Sequence, residues 1–149
     1  MPIPVPHFQQ ETAYTCLPAC VRMVLAFLGD DQSEQKLALA FQTAPGWGTL
    51  PDHVEMALTT WGYRVRWFEG ATLERLEQLH ANHFPVIAFL RAVDLPHGTG
   101  GLHAVVIVDI DEQSVTCLDP VLDHNLTLTL AEFLRIWSRL SNQGMVIWR

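Results

Sequence analysis

The sequence has few basic residues, and they are not clustered. Nine of the 149 residues are Lys or Arg, sixteen are Asp or Glu, and the formal net charge is −7. Binding to a phosphate backbone needs clustered Lys and Arg side chains. The composition therefore argues against a nucleic-acid-binding protein.

Long apolar runs are also missing. No apolar stretch approaches the roughly 20 residues that a transmembrane helix needs. The first residues, MPIPVPHF, have no basic region and no apolar stretch, and they contain three prolines. These features are not those of a signal peptide, so we expect a cytoplasmic protein that does not insert into a membrane.

Cysteine is scarce, with three residues at Cys16, Cys20 and Cys117. Three thiols cannot all pair, and unpaired thiols are typical of reducing compartments. The hydrophobic fraction of 49% in 149 residues is enough for one globular core. Because no linker or internal repeat is visible, residues 1–149 are predicted to form one domain.

The hydrophobic periodicity changes along the chain. Spacings of three and four residues predict helices over 15–28, 33–41, 51–61, 72–81 and 130–140. Alternating or β-branched runs predict strands over 63–68, 85–90, 103–110, 115–118 and 145–148. Since most helices precede most strands, the order indicates an α+β fold, with an N-terminal helical half and a C-terminal antiparallel sheet half. A site in such a fold is expected in the cleft between the halves.

Cys16 stands at the predicted start of the first helix. The free N–H groups and the dipole of a helix N-terminus stabilise negative charge, and the thiolate is the nucleophilic form of cysteine. A free cysteine taken alone is more often a small buried apolar residue. Cys16 is therefore a candidate nucleophile only if partners are found.

Two candidate partners lie in neighbouring predicted strands. His103 begins the strand HAVVIVDI after the glycine-rich loop PHGTGGL, and Asp119 ends the next strand in LDP. Antiparallel pairing brings the start of one strand near the end of the next, so a carboxylate could orient the imidazole. Asp109 and Asp111 are weaker alternatives, and Asp-Pro alone can be a simple turn. Together the three residues predict a catalytic triad.

The order of these motifs resembles a known family. Gln10 precedes Cys16 by six residues, Pro-Ala follows at positions 18–19, the helix ends in Leu-Gly, and His-x-Val-Val and Asp-Pro come later. This pattern is similar to that of the C39 peptidases, papain-like thiol proteases best known as domains of bacteriocin-processing ABC transporters. There they cut leader peptides after a double glycine. The resemblance covers nearly the whole chain and implies a papain-like fold.

The resemblance also implies roles for individual residues. Cys16 would be the nucleophile, His103 the general base and then general acid, and Asp119 the residue that orients His103. Gln10 would stabilise the oxyanion together with the Cys16 backbone N–H. No cofactor is implied. A peptide or protein would be the substrate, and a membrane transporter would be a further partner.

The chain departs from the family pattern in two places. Leu17 follows the cysteine, where the family usually has glycine, and this change would alter substrate preference. No transporter sequence follows Arg149, so we expect a stand-alone peptidase. Two other functions stay open: acyl transfer to an acceptor other than water, and a catalytically silent module that only binds peptides.

Several other residues have competing interpretations. Trp47, in a glycine-flanked loop, could line a substrate groove or pack in the core. Asp94 and His97 are expected to shape the rim of the cleft. Cys16 and Cys20, with His103, could in principle bind zinc, but the remaining ligand spacing of a zinc site is missing, so we predict no metal. Cys20 and Cys117 are expected to pack in the core rather than to form disulfides.

Overall fold

The computed structural model describes residues 1–98 and 100–149 of the chain. The helices are α1 (Cys16–Phe27), α2 (Glu34–Ala40), α3 (Pro51–Thr60), α4 (Leu73–Ala81) and α5 (Leu130–Ser138), with a short 3₁₀ helix at Ala92–Asp94. None of the helices in these residues is long and apolar enough to cross a membrane.

The strands form one antiparallel sheet. They are β1 (Arg64–Phe68), β2 (Val86–Arg91), β3 (Leu102–Ile110), β4 (Ser114–Leu118), β5 (Asn125–Thr129) and β6 (Gly144–Trp148). The spatial order is β1-β6-β2-β3-β4-β5. The last strand thus inserts between β1 and β2, which ties the C-terminus to the helical half. The predicted α+β class with an antiparallel sheet is confirmed.

Helix α1 lies across one face of the sheet. Its apolar side chains, among them Val21 and Val24, pack with α2 and α3 against Ala104, Val106 and Val108 of β3. Gly29 ends the helix with a φ of +89°, a conformation that glycine adopts without strain. Because the buried apolar face of α1 packs against the sheet, the position of its first residue, Cys16, is fixed relative to β3.

The opposite face is covered by the later helices. Leu76 of α4 and Phe133 and Trp137 of α5 pack against Val105 and Ile107 of β3. Alternate residues of β3 therefore enter two separate cores, which is the period-two pattern of a strand that is buried on both faces. The burial on both sides makes β3 a rigid support for His103 near its start.

Strand β5 is absent from the predicted elements. Its sequence, NLTLT, is short and half exposed, and it lies at the sheet edge. Its pairing with β4, in which Cys117 lies opposite Leu126, is what makes it a strand. The other boundaries match the predictions or differ from them by one or two residues.

Candidate active site

Cys16 is the first residue of α1, and the loop that leads to it is held by a buried carboxylate. Oε2 of Glu34 accepts hydrogen bonds from the Glu11 backbone N–H at 2.8 Å and from the Thr15 hydroxyl at 3.0 Å. Burial raises the pKa of Glu34, although these hydrogen bonds oppose the shift. Thr15 occupies the N-cap position of α1, but its side chain makes no capping bond. The hydroxyl instead anchors the loop to α2.

His103 and Asp119 are brought together by the β3–β4 register. Val106 lies opposite Leu118, so Asp119, one residue further on, is a diagonal neighbour of His103. Nε2 of His103 lies 2.7 Å from Oδ1 of Asp119. The carboxylate is fully buried and the imidazole is 8% exposed, so water screens this contact very little.

The proton of this pair is held on His103. Burial lowers the pKa of the imidazole, but the hydrogen bonds to Asp119 and Cys16 outweigh it and raise the pKa to about 9. For Asp119, burial raises the pKa, and the contact with the His103 imidazolium more than offsets this and lowers it. Because Asp119 engages Nε2 of His103, Nδ1 is the ring nitrogen that this carboxylate does not bind.

Asp119 has a second imidazole partner that the sequence did not indicate. Nε2 of His97 lies 2.7 Å from Oδ2 of Asp119, while the Val121 backbone N–H donates to Oδ1 at 2.9 Å. His97 was expected only at the cleft rim. It also lines a cavity of about 150 Å³ with Cys16 and His103. One buried carboxylate therefore holds two histidines.

The loop that carries His97 is fixed by close packing and an ion pair. A Cβ on Gly98 would lie 1.7 Å from the Ala92 carbonyl oxygen, so only glycine fits there. Asp94, expected at the rim, is 3.0 Å from an Arg139 guanidinium nitrogen just after α5. These contacts explain why a glycine-rich segment can place an imidazole on Asp119.

Gln10 reaches the same cavity as Cys16 and His103. Its backbone N–H donates to the Pro120 carbonyl oxygen at 2.7 Å, which fixes it beside Asp119. Nε2 of its side chain donates to the Thr12 carbonyl oxygen at 2.7 Å. Oε1 is buried and has no hydrogen-bond partner among the described residues. The neighbouring Gln9 is exposed and contacts the Val121 carbonyl oxygen at 3.5 Å.

The alternative acids lie elsewhere. Oδ1 of Asp109 is 3.4 Å from both the N-terminal ammonium group and the His80 ring. Asp111 accepts hydrogen bonds from two backbone N–H groups in the turn between β3 and β4. Both carboxylates are therefore engaged away from His103, which leaves Asp119 as its acidic partner.

The two other cysteines lie in the cores. The Cys20 thiol donates to the Ala104 carbonyl oxygen at 3.3 Å, and burial raises its pKa. Burial also raises the pKa of Cys117, to about 12. All three cysteines are free thiols. Within the described residues, no group of three or more His, Cys, Asp or Glu side chains could hold a metal ion.

Leu17 and Trp47 both line a second cavity beside Cys16, of about 230 Å³. Leu17 is buried, whereas Trp47 is 79% exposed. Of the two interpretations that the sequence offers for Trp47, core packing is the favoured one, and this exposure shows that it is wrong. Trp47 instead lines the cavity.

Two curated relatives come from the genus Methanothermobacter. An uncharacterized protein of Methanothermobacter thermautotrophicus is 34% identical over 129 residues, which cover 87% of this chain and 80% of that protein. One from Methanothermobacter marburgensis is 32% identical over 114 residues, covering 76% and 70% of the two chains.

Solved structures share the fold at low sequence identity. A protein of Bacillus anthracis, described as a C39-like peptidase, has a TM-score of 0.81 at 18% identity, with 98% of this chain and 95% of that chain covered. A double-glycine-motif protease from an AMS/PCAT transporter, solved with its leader peptide, has a TM-score of 0.74 at 18% identity, covering 99% and 93%. The peptidase domain of Streptococcus ComA has a TM-score of 0.75 at 17% identity, covering 95% and 96%.

The family model confirms the relationship that the motifs suggested. It matches residues 2–145, nearly the whole chain. Together with the fold, this match supports a peptidase-type function. The chain belongs to the Peptidase_C39 like family.

Proposed function

We propose that this protein is a cysteine peptidase in which Cys16, His103 and Asp119 act as a catalytic triad. The observation that carries the proposal is the buried 2.7 Å contact between His103 and Asp119, with Cys16, the first residue of α1, lining the same two cavities as His103. A nucleophile, a base and an orienting acid in this order are what thiol-dependent acyl transfer requires.

The reaction begins with a proton held by His103. Sγ of Cys16 attacks the carbonyl carbon of the scissile peptide bond and forms a C–S bond, giving a tetrahedral oxyanion. As the C–N bond breaks, the His103 imidazolium gives its proton to the departing amine. A thioester with Cys16 remains. Water, which loses a proton to His103, then attacks the thioester, and the C–S bond breaks to release the acid and regenerate the thiolate–imidazolium pair.

Asp119 serves this cycle through charge and orientation. Its carboxylate is fully buried and has its pKa lowered by the contact with His103, so it stays ionised while the imidazole gains and loses its proton. It holds Nε2 and thereby aims Nδ1 at Cys16. His97 and the Val121 N–H hold the carboxylate in turn.

Gln10 is the proposed side-chain donor to the oxyanion. It lines the cavity next to Cys16, and Nε2 has a second hydrogen besides the one donated to the Thr12 carbonyl oxygen. The Cys16 backbone N–H, at the helix N-terminus, would be the second donor. Two preorganised donors of this kind stabilise the charge that develops only in the transition state.

Peptides are the proposed substrates, and leader peptides that end in a double glycine are the first class to test. A structural neighbour with this fold was solved with its leader peptide, and two neighbours are peptidase domains of transporters. A transporter as partner and a cytoplasmic location belong to the same proposal.

The first test is alkylation of the native protein by iodoacetamide, read for each cysteine by peptide mass spectrometry. We expect Cys16 to be modified at neutral pH while Cys20 and Cys117, which are buried, react only after unfolding. The second test is turnover of a mixed peptide library. Cys16→Ala should abolish cleavage, and Cys117→Ala, in the core, should keep it.

Other results would point to other functions. Cleavage that survives in Cys16→Ala would contradict the mechanism. Products that carry an added amine or thiol would indicate acyl transfer. Peptide binding without turnover, with Cys16 no more reactive than Cys20, would indicate a silent binding module.

A further inference from the structure

Two cavities meet at the Cys16–His103 pair. They share only Cys16, Leu102 and His103 among their described lining residues. The cavity of about 150 Å³ is lined by Gln10 and His97. Gln10 is the proposed donor to the oxyanion, and His97 is the second histidine that contacts Asp119. The cavity of about 230 Å³ has no part in the steps above.

The larger cavity has apolar walls. Leu17, Phe89 and Leu140 line it inside, and Trp47 and Trp67 line it further out. No Asp, Glu, Lys or Arg is among the described residues that line it. Apart from the Cys16–His103 pair, the described lining residues offer a charged side chain no ion-pair partner when water leaves, so the rest of the cavity disfavours charged side chains.

Its size suits a large side chain rather than a glycine. Dry protein cavities of about 150 Å³ already accept a benzene ring, so about 230 Å³ has room for an aromatic or a long aliphatic side chain. A glycine would leave this space unfilled and forgo the burial of apolar surface. The cavity begins at the reacting residues themselves, so its occupant must come from a residue close to the scissile bond.

Two residues that line the cavity are exposed to solvent. Trp47 is 79% exposed and Leu102 is 72% exposed. Large exposed apolar side chains that rim a concave site are typical of ligand-binding surfaces. Leu17, the residue after Cys16, adds a further apolar side chain to the cavity lining. The family pattern usually has glycine at this position.

Resting on the proposed function, we infer that this cavity is a specificity pocket that takes a large apolar side chain of the substrate, within two residues of the cleaved bond. The preferred peptides would carry Phe, Leu, Met or Tyr there. The inference therefore narrows the proposed peptide substrates away from the double-glycine leader peptides, which would be poor substrates. Trp47 would be a specificity-determining residue.

The experiment uses the full chain and a proteome-derived peptide library, with cleavage sites read by mass spectrometry. Matched synthetic peptides then compare Phe with Gly at the enriched position. We expect kcat/KM to fall at least about tenfold for Gly, the usual scale for an apolar pocket that loses its side chain. Trp47→Ala should remove most of that preference. Trp61→Ala is the matched control, because Trp61 is also partly exposed but lies outside the cavity lining.

A binding measurement on Cys16→Ala separates this inference from the proposed function. The same two peptides are titrated while the Trp47 indole resonance is followed by NMR. At least about tenfold tighter binding of the Phe peptide supports the pocket, even if no peptide is cleaved by the native protein. Equal binding of both peptides, or cleavage concentrated at double glycines with no apolar enrichment, would overturn the pocket and leave the peptidase proposal intact.

Discussion

Replacing Asp119 by Asn should remove most of the pH dependence of stability that His103 contributes. In the native protein the pKa of His103 is raised to about 9 by Asp119 and Cys16 against the effect of burial. An Asn side chain has nearly the same shape but carries no charge to stabilise the imidazolium. Burial should then dominate, and the pKa of His103 should fall far below about 9.

The magnitude follows from linkage. A folded-state pKa above the unfolded value stabilises the fold most when the group is protonated in both states. For His103 this contribution is fully present below about pH 6.5 and is lost as the pH rises through about 9. The difference from the ordinary value of 6.5 corresponds to about 3 kcal/mol. Between about pH 6 and about pH 9.5, the free energy of unfolding should therefore fall by about 3 kcal/mol more in the native protein than in the Asn variant.

The assay is urea unfolding of both proteins at these two pH values, with the free energy of unfolding as the readout. Asp119→Asn should be much less stable than the native protein at about pH 6, and the gap should narrow at about pH 9.5. Asp123→Asn is the matched control. Asp123 also lies 2.8 Å from a histidine, His124, but both side chains are largely exposed. An exposed ion pair of this kind contributes little, so the control should follow the native protein.

One result would refute the reasoning. If Asp119→Asn and the native protein lose stability in parallel over this pH range, the proton of the pair is not held on His103 by Asp119. Asp119 would then not stabilise the thiolate–imidazolium pair with which the proposed reaction begins. If Asp119→Asn lowers the free energy of unfolding by the same large amount at both pH values, Asp119 acts only through neutral hydrogen bonds.

Three further predictions concern the residues around the triad. Gln10→Ala should lower kcat by about 10²-fold, the scale for loss of one oxyanion donor, whereas Gln9→Ala should leave kcat unchanged in the same peptide assay. Glu34→Ala should lower the free energy of unfolding by about 1–3 kcal/mol, because the Thr15 and Glu11 donors lose their acceptor, while Glu55→Ala, on the exposed face of α3, should have no comparable effect. His97→Ala should move the acidic limb of the kcat/KM pH profile to higher pH, because Asp119 loses a hydrogen bond that lowers its pKa. His97→Gln keeps a hydrogen-bond donor and should return the acidic limb to its position in the native protein. An unchanged kcat in Gln10→Ala, an unchanged free energy of unfolding in Glu34→Ala, or an unmoved acidic limb in His97→Ala would contradict the role given to that residue.

Local patterns accounted for the elements that carry the proposed triad. The spacing of Val21, Val24 and Leu28 and the stop at Gly29 place Cys16 at a helix start in both the sequence and the structure. His103 and Asp119 could be paired in advance because one short hairpin connects their strands. Hairpin registers depend on neighbouring residues, so the sequence carries that information directly. The catalytic roles themselves stay predictions.

Contacts between distant segments were decided only by the tertiary structure. His97 reaches Asp119 because Gly98 packs against Ala92, and no periodicity encodes such a loop path. β6 pairs with both β1 and β2, across a separation that pattern alone does not assign. Likewise, Trp47 could belong to a core or a groove until the fold placed it at 79% exposure.

The division has a physical cause. Hydrophobic period, caps and turn glycines act over a few residues, so the sequence by itself determined the helices, most strands, the family pattern and the candidate nucleophile. Cavities, buried charge pairs and edge strands arise where segments far apart in the chain meet, and their energies depend on burial and distance. The apolar pocket beside Cys16 and the second histidine on Asp119 therefore became visible only when the chain was folded.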